Sequence, residues 1–89
     1  MKLLRTETIH LKTEAGEITL DYTLVESSDD LTRMSYGIAL CNRDAAELVY
    51  VLDITSDPET ARTLFEHMVK GRVTTISFRD VVEDFLAAG

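Results

Sequence analysis

Ala61-Arg62-Thr63-Leu64-Phe65-Glu66-His67-Met68-Val69 and Phe78-Arg79-Asp80-Val81-Val82-Glu83-Asp84-Phe85-Leu86 decide how this chain folds. In the first stretch Ala61, Leu64, Phe65, Met68 and Val69 fall at i, i+3, i+4, i+7 and i+8. Phe78, Val81, Val82, Phe85 and Leu86 repeat that spacing in the second. Each set forms one apolar stripe on a helix of period 3.6, so each helix has one face to bury. The chain before them supplies the surface to bury it against. Residues 3–12, 17–25, 33–42 and 47–54 alternate with period two, the signature of strands. Four strands followed by two helices predict an α+β domain: a four-stranded antiparallel sheet with two C-terminal helices packed on one face. Residues 73–76 leave room for one short fifth strand.

The turns support that order. Thr13-Glu14-Ala15-Gly16 suits a hairpin loop with Gly16 at positive φ, which glycine adopts without steric penalty. The resulting register sets Ile9 beside Leu20 and Leu11 beside Ile18, apolar with apolar. It also sets Glu7 beside Tyr22 and Arg5 beside Leu24. Those are poor core pairs, so a bulge or an edge position is expected early in the first strand. Residues 26–32 read as a polar loop and 43–46 as a short turn. Ser56-Asp57-Pro58-Glu59 is a helix start, with Ser56 as the expected cap and Pro58 in the first turn. Gly71 should end that helix, and Ser77 should cap the next, with Asp80 three residues on.

With 89 residues the chain is one domain, and a domain this small gains from oligomerisation. Sixteen acids against 9 Lys and Arg give a net charge of −7, without the basic cluster that phosphate binding needs. Nucleic acid and anionic membrane surfaces are unfavoured partners; a protein with a basic surface is a better one. Cys41 stands alone, so no internal disulfide forms. The first residues carry no signal-peptide pattern and no apolar run reaches membrane-spanning length, which makes a cytoplasmic location the expectation.

Site chemistry is sparse. Tyr22, Tyr36 and Tyr50 share the inward parity of successive strands and read as core rings rather than a ligand patch. His10 lies on the outer face near Thr19 and Asp21, on an open sheet rather than in a cleft, and His67 lies beside a helix stripe. Cys41 reads as a small apolar residue, away from any helix N-terminus that would activate a thiol. Asp29-Asp30 and Glu83-Asp84 lack the further oxygen donors a divalent cation requires. The expectation is therefore no catalytic residue, no metal and no cofactor.

One surface stands out. On the parity assigned to the tyrosines, the sheet face away from the helices presents Ser35, Gly37, Ala39, Cys41, Val49 and Val51. Small and apolar residues without charge suit docking, so these six form the expected interface of a noncatalytic interaction or regulatory module, a homodimer. Two other readings stay open: a small-molecule binding domain or minimal enzyme with a pocket between sheet and helices, and an acidic mimic of nucleic acid.

With Tyr36-Gly37-Ile38-Ala39-Leu40, the run LVYVLDITSDPETARTLFEHMV over 48–69 and SFRDVVEDFL over 77–86, the chain resembles a family of short bacterial proteins of unknown function. The likeness covers most of the chain from Tyr36 onward. It implies a bacterial cytoplasmic protein and carries over no catalytic residue, ligand or partner.

Overall fold

The computed structural model describes residues 2–28 and 34–88. Strands β1 (Lys2–Thr13), β2 (Gly16–Ser28), β3 (Met34–Asn42) and β4 (Glu47–Thr55) form one antiparallel sheet in the order β1-β2-β3-β4. Helices α1 (Pro58–Lys70) and α2 (Phe78–Ala88) follow. This is the α+β arrangement that the periodicities predict. Leu20, Tyr22, Ile38 and Leu40 from the sheet meet Leu64, Phe65, Met68, Phe78 and Val82 from the helices in one buried core.

The first hairpin has the predicted register. Ile9 pairs with Leu20 and Leu11 with Ile18, Gly16 has φ +126°, and the turn itself is Glu14-Ala15. The expected irregularity falls between Leu3 and Arg5. Arg5 avoids a charged core by lying over the Phe65 ring, 5.3 Å from its centroid, with its guanidinium on Glu7. Tyr22 is fully buried and its hydroxyl donates to the Val73 carbonyl at 2.6 Å. Burial pushes that phenol up to about 12.

Three local expectations change. Glu26 and Ser27 belong to β2, paired with Tyr36 and Ser35, so the ladder extends past the expected loop start. Asp29-Asp30 lies outside the described residues. Residues 73–76 form no strand; they join the helices in turns, fixed by Tyr22 on the Val73 carbonyl and by the Val73 amide on Met68. Asp57, not Ser56, caps α1: its carboxylate accepts from the Glu59 amide at 3.3 Å and from the Thr60 hydroxyl at 2.6 Å. The cap must directly precede the proline at the first helical position, and Asp57 is that residue.

The largest correction concerns β4. Val49 and Val51 do not face away from the helices; they pack against the core, while Tyr50 is 55% exposed. Residues directly opposite in an antiparallel pair share a face. Val49 opposes Leu40 and Val51 opposes Ile38, both fully buried, so the valines go inward and Leu48, Tyr50 and Leu52 go outward. The even positions do not stay on one side through Ile54, because the strand bulges. From Ile38 back to Tyr36 β3 advances two residues, whereas from Val51 to Thr55 β4 advances four. Asp53 sits inside that insertion at φ +57°, and beyond it Ile54 packs on the core again. Gly37 faces the bulge. A Cβ there would lie 2.5 Å from the Val51 carbonyl oxygen and 2.7 Å from the Leu52 Cα, so only glycine fits.

Candidate functional site: the outer face of the sheet

The helices cover one face of the sheet. The opposite face divides into a polar and an apolar half. The polar half is organised by Asp21, whose carboxylate accepts from Thr8 Oγ1 at 2.6 Å, Arg43 Nε at 2.6 Å and Arg43 Nη2 at 3.0 Å. The two-pronged Arg43 contact, joined by the Thr8 hydroxyl, holds the Asp21 carboxyl below the usual carboxylate range. These bonds tie β1, β2 and the β3–β4 turn together. The neighbouring Asp44 carboxylate takes the Thr19 amide at 2.7 Å, and the Asn42 side chain accepts from the Asp44 and Ala45 amides. Every group here answers another protein group, so the cluster reads as a brace.

The apolar half lies toward β4. Leu3, Thr23, Val25, Ala39, Leu48, Tyr50 and Leu52 line a shallow concavity of about 340 Å³. Val25 is buried, whereas Leu3 and Leu48 are 66% and 62% exposed. The β1 irregularity beside Leu4 shifts Leu3 opposite Val25, which brings it onto this face. Apolar side chains standing this far into water around a closed floor are unusual, because exposure forfeits roughly 25 cal/mol per Å² of apolar surface.

Of the six interface residues expected from sequence, Ala39 alone lines this concavity. Cys41 is half-buried and pairs with Leu48 across the ladder, on the same face. Ser35 bonds Ser27 at 3.1 Å, and Gly37 is buried against the β4 bulge. Val49 and Val51 belong to the core side. The expected interface is therefore overturned as drawn, because both valines lie on the core side; the apolar surface on the outer face is made instead by Leu3, Leu48, Tyr50 and Leu52 beside Ala39. Val25 follows the outward parity of Thr19, Asp21 and Thr23 in β2, whereas Leu3 was hidden from sequence reasoning by the irregularity in β1. The signals for β4 were a glycine inside a strand and an aspartate breaking an apolar run.

The remaining candidates do not converge. Tyr22 and Tyr36 are inward and buried, and Tyr50 is on the other face. His10 is exposed, within 3.2 Å of the Thr19 hydroxyl and 3.7 Å of Glu17. His67, Glu83 and Asp84 are exposed on the helices. Among the described residues no cluster of three or more His, Cys, Asp or Glu can hold a metal ion, and no helix is long and apolar enough to cross a membrane.

Neither a curated protein nor a solved structure matches the chain. A family model does, over residues 1–88, almost the full length of sheet and helices. Its description assigns no activity. The chain belongs to DUF6514, a family of unknown function.

Proposed function

We propose that this protein is a noncatalytic interaction module that self-associates through the apolar half of its outer sheet face. One observation carries the reading: Leu3, Leu48, Tyr50 and Leu52 stand exposed around a floor of Val25 and Ala39. Together these side chains leave on the order of 400 Å² of apolar surface in water, within the roughly 300–600 Å² of a monomer's largest patch, which is often a functional one. Two copies closing on it would remove about 800 Å² before any rim is counted, close to the ~1,000 Å² that a specific interface needs. The patch itself carries no charge, so burying it strips water from no carboxylate.

The other two readings find less support. The seam between sheet and helices, where the alternative of a small-molecule domain needs its pocket, is filled by Tyr22, Ile38, Leu40, Leu64, Phe65 and Met68, all essentially without exposure. A nucleic-acid mimic needs free carboxylates in a stripe, but Glu7, Asp21, Glu59 and Glu66 each contact an arginine. A bacterial cytoplasmic setting accords with the lone cysteine and with the resemblance noted above.

Light scattering on the wild type and on Leu48→Lys tests the proposal. The wild type should show a concentration-dependent dimer, and the variant a folded monomer. Val51→Lys should instead destabilise the fold, because it places an ammonium against Ile38. A wild type that stays monomeric at high micromolar concentration removes the proposal.

A further inference from the structure

We infer that the second copy joins edge to edge, β4 against β4, so that two four-stranded sheets become one antiparallel sheet of eight. This rests on the self-association reading but places the contact at the β4 edge instead of across the outer face, with Leu48, Tyr50 and Leu52 common to both. The two free edges of the sheet are built differently. The β1 edge carries Lys2, Arg5, Glu7 and Lys12 along its length, the charges by which edge strands repel unwanted pairing. The β4 edge presents Leu48-Val49-Tyr50-Val51-Leu52, five successive residues with neither charge nor proline. An edge of that kind, with one row of backbone N–H and C=O groups unpaired, is a template for another strand.

The two faces of β4 agree with the edge. Leu48, Tyr50 and Leu52 are exposed outward, yet Val49 and Val51 on the core side are also only partly buried, because the sheet stops beside them. Stacking two outer faces would cover the first set and leave the second as it is. Adding a strand at the edge sets the partner's side chains beside both sets, as cross-strand neighbours on each face. The run is also symmetric about its centre. An antiparallel copy paired about Tyr50 sets Leu48 against the partner's Leu52, Val49 against the partner's Val51, and Tyr50 against its own counterpart. That is the isologous relation a two-fold axis demands.

The pairing ends itself. Asp53 leaves the extended conformation at φ +57°, and Glu47 borders the turn, so the ladder is limited to residues 48–52. Glu47 and Asp53 then face their like-charged counterparts across the ends of the joint, exposed and screened by salt. The dimer should tighten as ionic strength rises, the reverse of an interface held by salt bridges.

Two measurements on the full chain separate this geometry from self-association itself. Sedimentation gives the oligomeric state at each concentration. Amide exchange by NMR then compares residues 48–52 in dilute and concentrated samples, with mixed isotope labelling to detect contacts between copies. The expected result is a dimer in which alternate amides of 48–52 exchange at least about tenfold more slowly than in the monomer, with Leu48–Leu52 contacts between copies. A dimer whose β4 amides keep the monomer's rates overturns edge pairing and leaves face stacking. A monomer at every concentration overturns the underlying reading as well.

Discussion

Gly37→Ala probes the bulge in β4 that follows Val51 and lies against β3. The added methyl would sit 2.5 Å from the Val51 carbonyl oxygen and 2.7 Å from the Leu52 Cα, where ordinary van der Waals contact starts at 3.4 Å. The shortfalls are about 0.9 and 0.7 Å, and both obstructing atoms are backbone, so no side-chain rotation relieves them. The bulged part of β4 must move off β3 or the core beneath it must open. Forcing one methyl into a packed site costs about 1–3 kcal/mol, and an obstruction made of backbone belongs in the upper half of that range. For a domain of this size 2–3 kcal/mol corresponds to a Tm lower by roughly 8–24 °C. Urea and thermal unfolding followed by circular dichroism, at a concentration that keeps wild type and variant monomeric, measure it directly. A Tm within a degree or two of the wild type would refute the reasoning: β4 would not then press on Gly37, and the bulge beyond Val51 would be misplaced.

Other predictions follow from single contacts. Tyr22→Phe should destabilise by about 1–3 kcal/mol in urea titrations, because it leaves the Val73 carbonyl without its 2.6 Å donor. Asp57→Ala should lower stability by about 0.5–2 kcal/mol, whereas Ser56→Ala should change it little, since Asp57 holds the capping bonds. The Asp21 carboxyl, depressed chiefly by its bonds to Arg43 and Thr8, should titrate below an ordinary aspartate in a carbon-detected NMR titration. Its folded value lies below its unfolded one, so its stabilisation is present above the ordinary carboxylate range and is lost as pH falls through the folded value. Arg43→Gln should move that titration back toward the ordinary value, and an unmoved midpoint would show that Arg43 is not the cause.

The parts of the fold that could be read from sequence were those where one alternation was available. In β2, Ile18, Leu20, Tyr22 and Leu24 are apolar and their neighbours polar, so parity and hairpin register followed together. In β4 both parities are apolar, so hydrophobicity alone could not choose between Val49 and Tyr50. The choice is made by the pairing with Ile38 and Leu40, while Gly37 leaves room for the bulge that follows. Both are tertiary facts, although the glycine was visible in the sequence as a residue that weakens a strand unless close approach requires it. The helix cap was legible in principle, because proline at the first helical position names the residue before it. The surface patch was half legible: a face with little charge was apparent at Ala39 and Cys41, but Leu3 and Val25 come together through a one-residue shift in β1. The absence of an ordered metal or nucleophile motif was informative about emphasis only, directing attention to surface rather than chemistry.

Sedimentation equilibrium of the wild type beside Tyr50→Lys, from low to high micromolar concentration, tests the central claim most directly. Tyr50 is 55% exposed at the middle of the apolar stripe, so lysine there should leave the fold intact while charging the contact. The account predicts a reversible dimer for the wild type and a monomer with an unchanged circular dichroism spectrum for the variant. A wild type that never exceeds monomer mass, or a variant that dimerises as tightly as the wild type, would contradict it.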